Sequence, residues 1–324
     1  MSCKINATLL RSISKMFRLP VAILLLSIGP EVFGQHPIDS MAIIQIGGIS
    51  QAISLKGSDV SKPLLLFLHG GPGNSVMHYA EKFTHDLQQH FIVVQWDQRE
   101  VGKTLALNKS PRPLSVHQFE EDTHALIDTL LKRFNKRKLY LAGHSWGTHL
   151  GFYIATNHPE LLAAYIAICP MINQTESEQI VLDLMKDKAA RTGNKIALKE
   201  LATVKIPFET GEQLYFHRKW VADYMGRKSK IVKSTVEAWS ATWLPIFVEA
   251  SKQNLFESAP EIRCPVYFFV GRKDFQTNSN ITEEYFLKVQ APKKELTWFE
   301  RSAHLLPTTE PEKLQSIIIE NVLE

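Results

Sequence analysis

Cysteine is scarce in this chain, with three in 324 residues, and Cys3 stands at the very start. That excludes a small fold held by a disulfide framework. The other two are expected apart. Cys169 falls at the end of one predicted strand and Cys264 just before the start of another parallel one. That places them at opposite edges of the sheet, beyond the roughly 7 Å Cα separation a bridge tolerates. Two free buried thiols are the expectation. No Cys/His group has zinc-ligand spacing, so no metal is expected.

Charge of one sign is also missing. The net charge of +4 is concentrated in the first 34 residues, where Lys4, Arg11, Lys15 and Arg18 face only Glu31. Setting them aside leaves 33 basic and 32 acidic residues and no basic stripe, a poor platform for nucleic acid. Internal repeats and low-complexity tracts are absent. With 44% hydrophobic and 22% charged residues the composition is that of a globular chain rather than a disordered one. No later segment is apolar for long enough to span a bilayer.

The one concentrated apolar run is Leu19–Ile28, behind a basic stretch and ahead of Val32-Phe33-Gly34. It is short for a membrane span and has the layout of a cleaved signal peptide covering residues 1–34. Met16, just before Arg18, is an alternative start, and a membrane-anchored N-terminus is the competing reading. The expected location is secreted or periplasmic.

Beyond residue 35 the apolar residues are grouped. Met41–Ile46 and Gln51–Leu55 read as a hairpin around Gly47-Gly48. Continuous apolar runs then recur at Leu64–Leu68, Phe91–Gln95, Lys138–Ala142, Ala164–Ile168, Val266–Val270 and Glu295–Phe299. Helical stretches such as Val116–Phe134 and Ile281–Val289 intervene. Runs without alternation predict strands buried on both faces, hence a mostly parallel sheet covered by helices, an α/β fold. Between Pro170 and Ala259 the strand signal stops. Helical stretches at Ser177–Ala190, Ile196–Val204, Gln213–Met225 and Val232–Val248 predict a helical cap over residues 171–258, with the core at 35–170 and 259–324. The cap holds Trp220, Trp239 and Trp243, three of the six tryptophans, expected to pack the cap's own small core.

Gly143-His144-Ser145-Trp146-Gly147 fits the G-x-S-x-G pattern and sits between a predicted strand and a predicted helix. A serine there is held on a tight turn at the positive end of the helix. His69-Gly70-Gly71-Pro72-Gly73 follows Leu64–Leu68, and glycines let main-chain N–H groups approach a developing oxyanion. The N–H groups of Gly71 and Trp146 are the candidate donors, and His69 is expected to be structural. Val101-Gly102-Lys103-Thr104 ends like a phosphate-binding loop, but Asp97 occupies the earlier glycine position. A nucleophilic serine needs a base and an acid to orient it. Asp274 follows Val266–Val270, at the carboxyl end of a strand. His304 follows Glu295–Phe299 and is the only histidine after Asp274. His144, His149, His158 and His217 are expected to be structural or solvated.

Together His69–Gly73, Trp96-Asp97-Gln98-Arg99, Gly143–Thr148, Gly271–Asp274 and Ser302–His304 resemble the prolyl aminopeptidase (proline iminopeptidase) branch of the α/β-hydrolase superfamily. The resemblance runs from about Ile43 to the C-terminus. It implies an eight-stranded sheet, a helical cap over the active site, no cofactor, and catalytic roles for Ser145, Asp274 and His304. It implies a small-molecule or short-peptide substrate, with an ester or amide hydrolase as the alternative. Two positions depart from the family. Glu100 replaces the glycine of D-Q-R-G. The cap sequence Trp239-Ser240-Ala241-Thr242-Trp243 is followed by Leu244 where the family places a glutamate for the substrate ammonium. Glu178, Glu209, Glu212, Glu237 and Glu249 are the cap acids that could replace it. Oligomeric state is not legible.

Overall fold

Two strands and a tight turn begin the described chain. β1 (Ile38–Ile46) and β2 (Ile49–Gly57) pair antiparallel around Gly47 and Gly48, at φ of 55° and 81°. Positive φ at both turn residues matches the twist of a hairpin, which is why glycines stand there. The computed structural model describes residues 36–225 and 229–323, so the predicted signal segment lies outside the described residues.

The apolar runs form β3 (Leu64–Leu68), β4 (Ile92–Asp97), β5 (Leu139–His144), β6 (Leu162–Ile168), β7 (Val266–Gly271) and β8 (Lys294–Phe299). Their order across the sheet is β1-β2-β4-β3-β5-β6-β7-β8. All pairs from β4 to β8 are parallel, and β2 joins β4 antiparallel. This is the α/β-hydrolase arrangement, an eight-stranded, mostly parallel sheet with helices on both faces. Within β3, Leu64, Leu66 and Leu68 enter one apolar cluster, and Leu65 and Phe67 enter the other. All five are buried, and each such side chain contributes about 1.5–3 kcal/mol, so a polar residue is not tolerated on either face.

β3 lies between β4 and β5, so successive connections leave it in opposite directions. At such a switch the loops after the carboxyl ends diverge and open a crevice. The loops after β3 and β5 are the two glycine-rich motifs.

The cap leaves the core after β6 and returns before β7. It consists of helices Gln174–Arg191, Lys195–Leu201, Gly211–Tyr224 and Lys233–Ser251. The side chains of Asn173, Asn194 and Thr210 cap the first three by accepting from main-chain N–H groups in the first turn. Among the described residues no helix is long and apolar enough to cross a membrane.

The cysteines are free and buried, as expected. Cys169 follows the carboxyl end of β6 and Cys264 precedes the start of parallel β7, so the two thiols lie at opposite ends of the strands. The expectation for the cap tryptophans requires correction: they do not all pack within the cap. Trp220 Nε1 donates to Glu200 inside it (2.7 Å), whereas Trp239 Nε1 donates to the carbonyl of Pro72 at 2.8 Å. Trp243 lies so close to Gly73 that a Cβ there would come within 2.4 Å of its ring nitrogen. Two of the three indoles thus seat the cap on the core's glycine-rich loop.

Candidate active site

Ser145 is the turn between β5 and the helix Trp146–Asn157, with φ of 53° and ψ of −118°. A positive φ costs a side-chain-bearing residue roughly 1–3 kcal/mol, and surrounding contacts must hold it. Glycines on either side allow the turn to nestle. A Cβ on Gly143 would come within 2.5 Å of the carbonyl of Gly147, and one on Gly147 within 2.2 Å of that of Leu68. The Ser145 N–H donates to Ile168 on neighbouring β6, and Thr148 closes the first helical turn onto the Ser145 carbonyl.

Three side chains from three loops meet in line. The Ser145 hydroxyl donates to His304 Nε2 at 2.9 Å, and His304 Nδ1 donates to Asp274 Oδ2, also at 2.9 Å. A carboxylate only accepts, so it fixes the tautomer and leaves Nε2 free to accept. Asp274 is held firmly, accepting from the main chain of Gln276 (2.8 Å) and Thr277 (3.2 Å) and from the Thr277 hydroxyl (2.8 Å). Burial alone would raise its carboxyl. His304 and these hydrogen bonds outweigh that and keep it well below the usual carboxylate range. Asp274 is therefore ionised at neutral pH.

Gly71 lines the cavity together with Ser145, and Trp146 is the first residue of its helix. Neither main-chain N–H donates to another group among the described residues. His69 is buried and bonded at 2.8 Å to the Gly70 carbonyl within its own loop, as expected.

His144 has more to do than structural filling. Its Nε2 donates to the main-chain carbonyl of His304 at 2.8 Å, and the two rings lie 5.2 Å apart. Burial, followed by the nearby His304 ring, lowers its pKa to about 4 and keeps it neutral. It thereby ties the serine turn to the histidine loop. Sequence reasoning passed over this link because a pattern that reads G-x-S-x-G leaves the second position open. The Asp97-Gln98-Arg99 motif is likewise a set of braces. Asp97 accepts from Ser75 (2.5 Å) and the Lys103 N–H (2.7 Å), Gln98 accepts from Trp146 Nε1 (2.9 Å), and Arg99 pairs with buried Asp122. Glu100 adopts φ of 55°, a conformation that suits the glycine it replaces. Its carboxylate bonds the Ser110 N–H (2.6 Å) and Arg112 (2.9 Å), away from the cavity.

His144, Cys169 and His304 place potential ligand atoms within 4.8 Å of one another, a grouping that spacing along the chain did not show. Both His304 nitrogens are already engaged, and burial pushes the Cys169 thiol well above its ordinary pKa.

Above the serine is a cavity of about 230 Å³, lined by core loops and by cap residues. Met171, Leu214, Val236, Trp239 and Phe247 supply its apolar wall, with Gln174, Arg218 and Thr235 among its polar groups. None of the five cap glutamates lines it. Glu209 pairs with Lys205, Glu212 and Glu237 pair with Lys233, and Glu249 accepts from the Val116 N–H. Glu178 lies behind the wall, buried against Arg218 and His217.

Residues 59–312 match the family described as Serine aminopeptidase, S33. This chain belongs to that family of α/β hydrolases. It is 30% identical over 295 residues to a probable aminopeptidase, YbaC, of Bacillus subtilis (strain 168), covering 84% of this chain and 92% of the relative. It is 23% identical over 269 residues to a proline iminopeptidase of Heyndrickxia coagulans, covering 78% and 88%. Among solved structures, a proline iminopeptidase-related protein of Thermus thermophilus shares the fold with a TM-score of 0.59 at 20% identity, covering 87% of this chain and 96% of that one. The S33 enzyme described here is thus a prolyl aminopeptidase-like α/β hydrolase.

Proposed function

We propose that this S33 hydrolase is a serine hydrolase in which Ser145 is the nucleophile, His304 the general base and Asp274 the acid that orients it. The hydrogen-bonded line from Ser145 through His304 to Asp274 is the observation that carries this reading. His304 Nε2 takes the hydroxyl proton as Oγ attacks the substrate carbonyl. The N–H groups of Gly71 and Trp146 receive the oxyanion, each such donor being typically worth a factor of about 10² to 10³ in rate. His304 then passes its proton to the leaving amine or alcohol, and an acyl-enzyme remains on Ser145. Water, deprotonated by the same imidazole, releases the acid.

Family and relatives support release of an N-terminal proline or small residue from short peptides. The cavity lining supports a second reading, hydrolysis of small esters or amides. An aminopeptidase must hold an ammonium group, and no carboxylate lines the cavity among the described residues. Turnover of proline arylamide should be compared with that of p-nitrophenyl acetate and butyrate. Arylamide cleavage supports the aminopeptidase reading; ester turnover without it removes that reading and leaves the serine mechanism standing. Export through a cleaved leader is a further proposal. It predicts that N-terminal sequencing of protein recovered outside the cytoplasm begins near residue 35, and an intact Met1 there would contradict it.

A further inference from the structure

One guanidinium stands among the polar groups that line the cavity. Arg218, on the cap helix Gly211–Tyr224, lines the cavity with Ser145 and His304, and its side chain is 17% exposed. Its two terminal nitrogens grip the carboxylate of Glu178, with Nη1 donating to Oε2 at 2.6 Å and Nη2 to Oε1 at 2.5 Å. Nη1 also donates to His217 Nδ1 at 2.8 Å, while His217 Nε2 donates to the Glu178 carbonyl at 3.2 Å. The rings of Phe208 and Phe247 lie 5.5 and 5.9 Å from the guanidinium carbon and hold the plane in place. Gln174 donates to the same Glu178 oxygen (2.8 Å) and to the Gln276 carbonyl (2.7 Å), so the carboxylate is anchored from two sides.

These bonds use the end of the guanidinium and one inner N–H. A guanidinium has five N–H donors, and the remaining edge carries Nε–H and the second Nη2–H. Neither has a partner among the described residues. Nε is also absent from the polar atoms sealed away from solvent. A fixed pair of parallel donors on a permanently charged group matches the two oxygens of a carboxylate. An ammonium at that wall would meet the guanidinium, whose counter-charge Glu178 lies behind it and does not line the cavity.

We infer that the free edge of Arg218 selects substrates whose acyl group ends in a carboxylate. The inference rests on the serine-hydrolase reading above and specifies the acyl group that site takes. Glu178 is then the support that holds the guanidinium at one angle, and it does not act as an ammonium receptor.

The test compares mono-p-nitrophenyl esters of succinic, glutaric and adipic acids with neutral p-nitrophenyl butyrate and valerate. For the hemi-ester of best length, kcat/KM is expected to exceed that of the neutral ester by about 10-fold to 100-fold, as charge-assisted hydrogen bonds allow. Arg218→Lys keeps a cation opposite Glu178 but removes the parallel fork. In that variant the ratio of hemi-ester to neutral-ester kcat/KM should fall by about 10-fold, mainly through KM. A wild-type ratio of one or less across the series overturns the inference, whether or not the variant folds. So does a ratio that Arg218→Lys leaves unchanged. Failure of the serine reading looks different: neither ester class is turned over and a fluorophosphonate leaves Ser145 unlabelled.

Discussion

The strand-edge loops and the cap helices fix their working residues in different ways. Around Ser145 the main chain does the positioning. Glycines admit close approach, β6 holds the serine N–H, and two main-chain N–H groups clamp Asp274. In the cap the side chains do it, through Glu178, Arg218, His217 and Gln174 bonded to one another across two helices. Loops whose geometry is set by the backbone keep short, contiguous signatures. Sites assembled from residues some 40 positions apart, as Glu178 and Arg218 are, leave none. The Ser145 turn is thus held by main-chain contacts of the core, and the Arg218 cluster by side chains of the cap.

The widest separation between the two regions should appear on truncating Ser145. Ser145→Ala is expected to lower turnover by about 10⁴-fold or more while leaving the urea midpoint unchanged. A large loss of stability would mean that the turn depends on the hydroxyl. Asp274→Asn comes next, with a loss of about 10³- to 10⁴-fold in kcat, since an amide no longer fixes the His304 tautomer. Retention of more than a tenth of wild-type kcat would show that Asp274 does not orient the base.

Acidification probes both regions together. Burial lowers His144 and His217 to about 4 from an ordinary 6.5. Between those pH values the unfolded chain binds protons that the native one refuses. Stability from this source is thus complete above about pH 6.5 and is lost as pH falls towards 4, by about 4 kcal/mol at pH 5 for the two rings together. A midpoint that stays flat from pH 7 to 5 would contradict the buried, neutral state of both rings. Breaking the cap cluster should also lower stability. Glu178→Ala leaves Arg218 without its buried counter-charge and should cost about 3 kcal/mol, measured by urea denaturation. A change under about 0.5 kcal/mol would place the pair among those that contribute little. Smallest is Trp239→Phe, which removes one hydrogen bond to the Pro72 carbonyl and should cost about 1 kcal/mol. An unchanged midpoint would mean that this indole does not seat the cap.

Much of the core was legible beforehand, for a physical reason. Strands buried on both faces must be continuously apolar, so the run Leu64–Leu68 coincides with β3 to the residue. Ser145 and Asp274 were legible because each follows such a strand, whereas His304 follows β8, a half-buried edge strand, and stood out as the one histidine after Asp274. The roles of Trp239 and Trp243 were not, since an indole at helical spacing looks the same whether it faces its own helix bundle or a loop of another layer. The particular bond of His144 was not legible because it goes to a main-chain carbonyl, which no side-chain pattern encodes. The conformation of Glu100 was equally hidden, because only backbone geometry shows why its position suits glycine.

The most direct measurement is reaction with a fluorophosphonate followed by mass mapping of the labelled peptide. The account predicts a single adduct on Ser145, the one serine whose hydroxyl donates to His304 Nε2. An adduct on any other serine, or equal labelling of the Ser145→Ala variant, would contradict it.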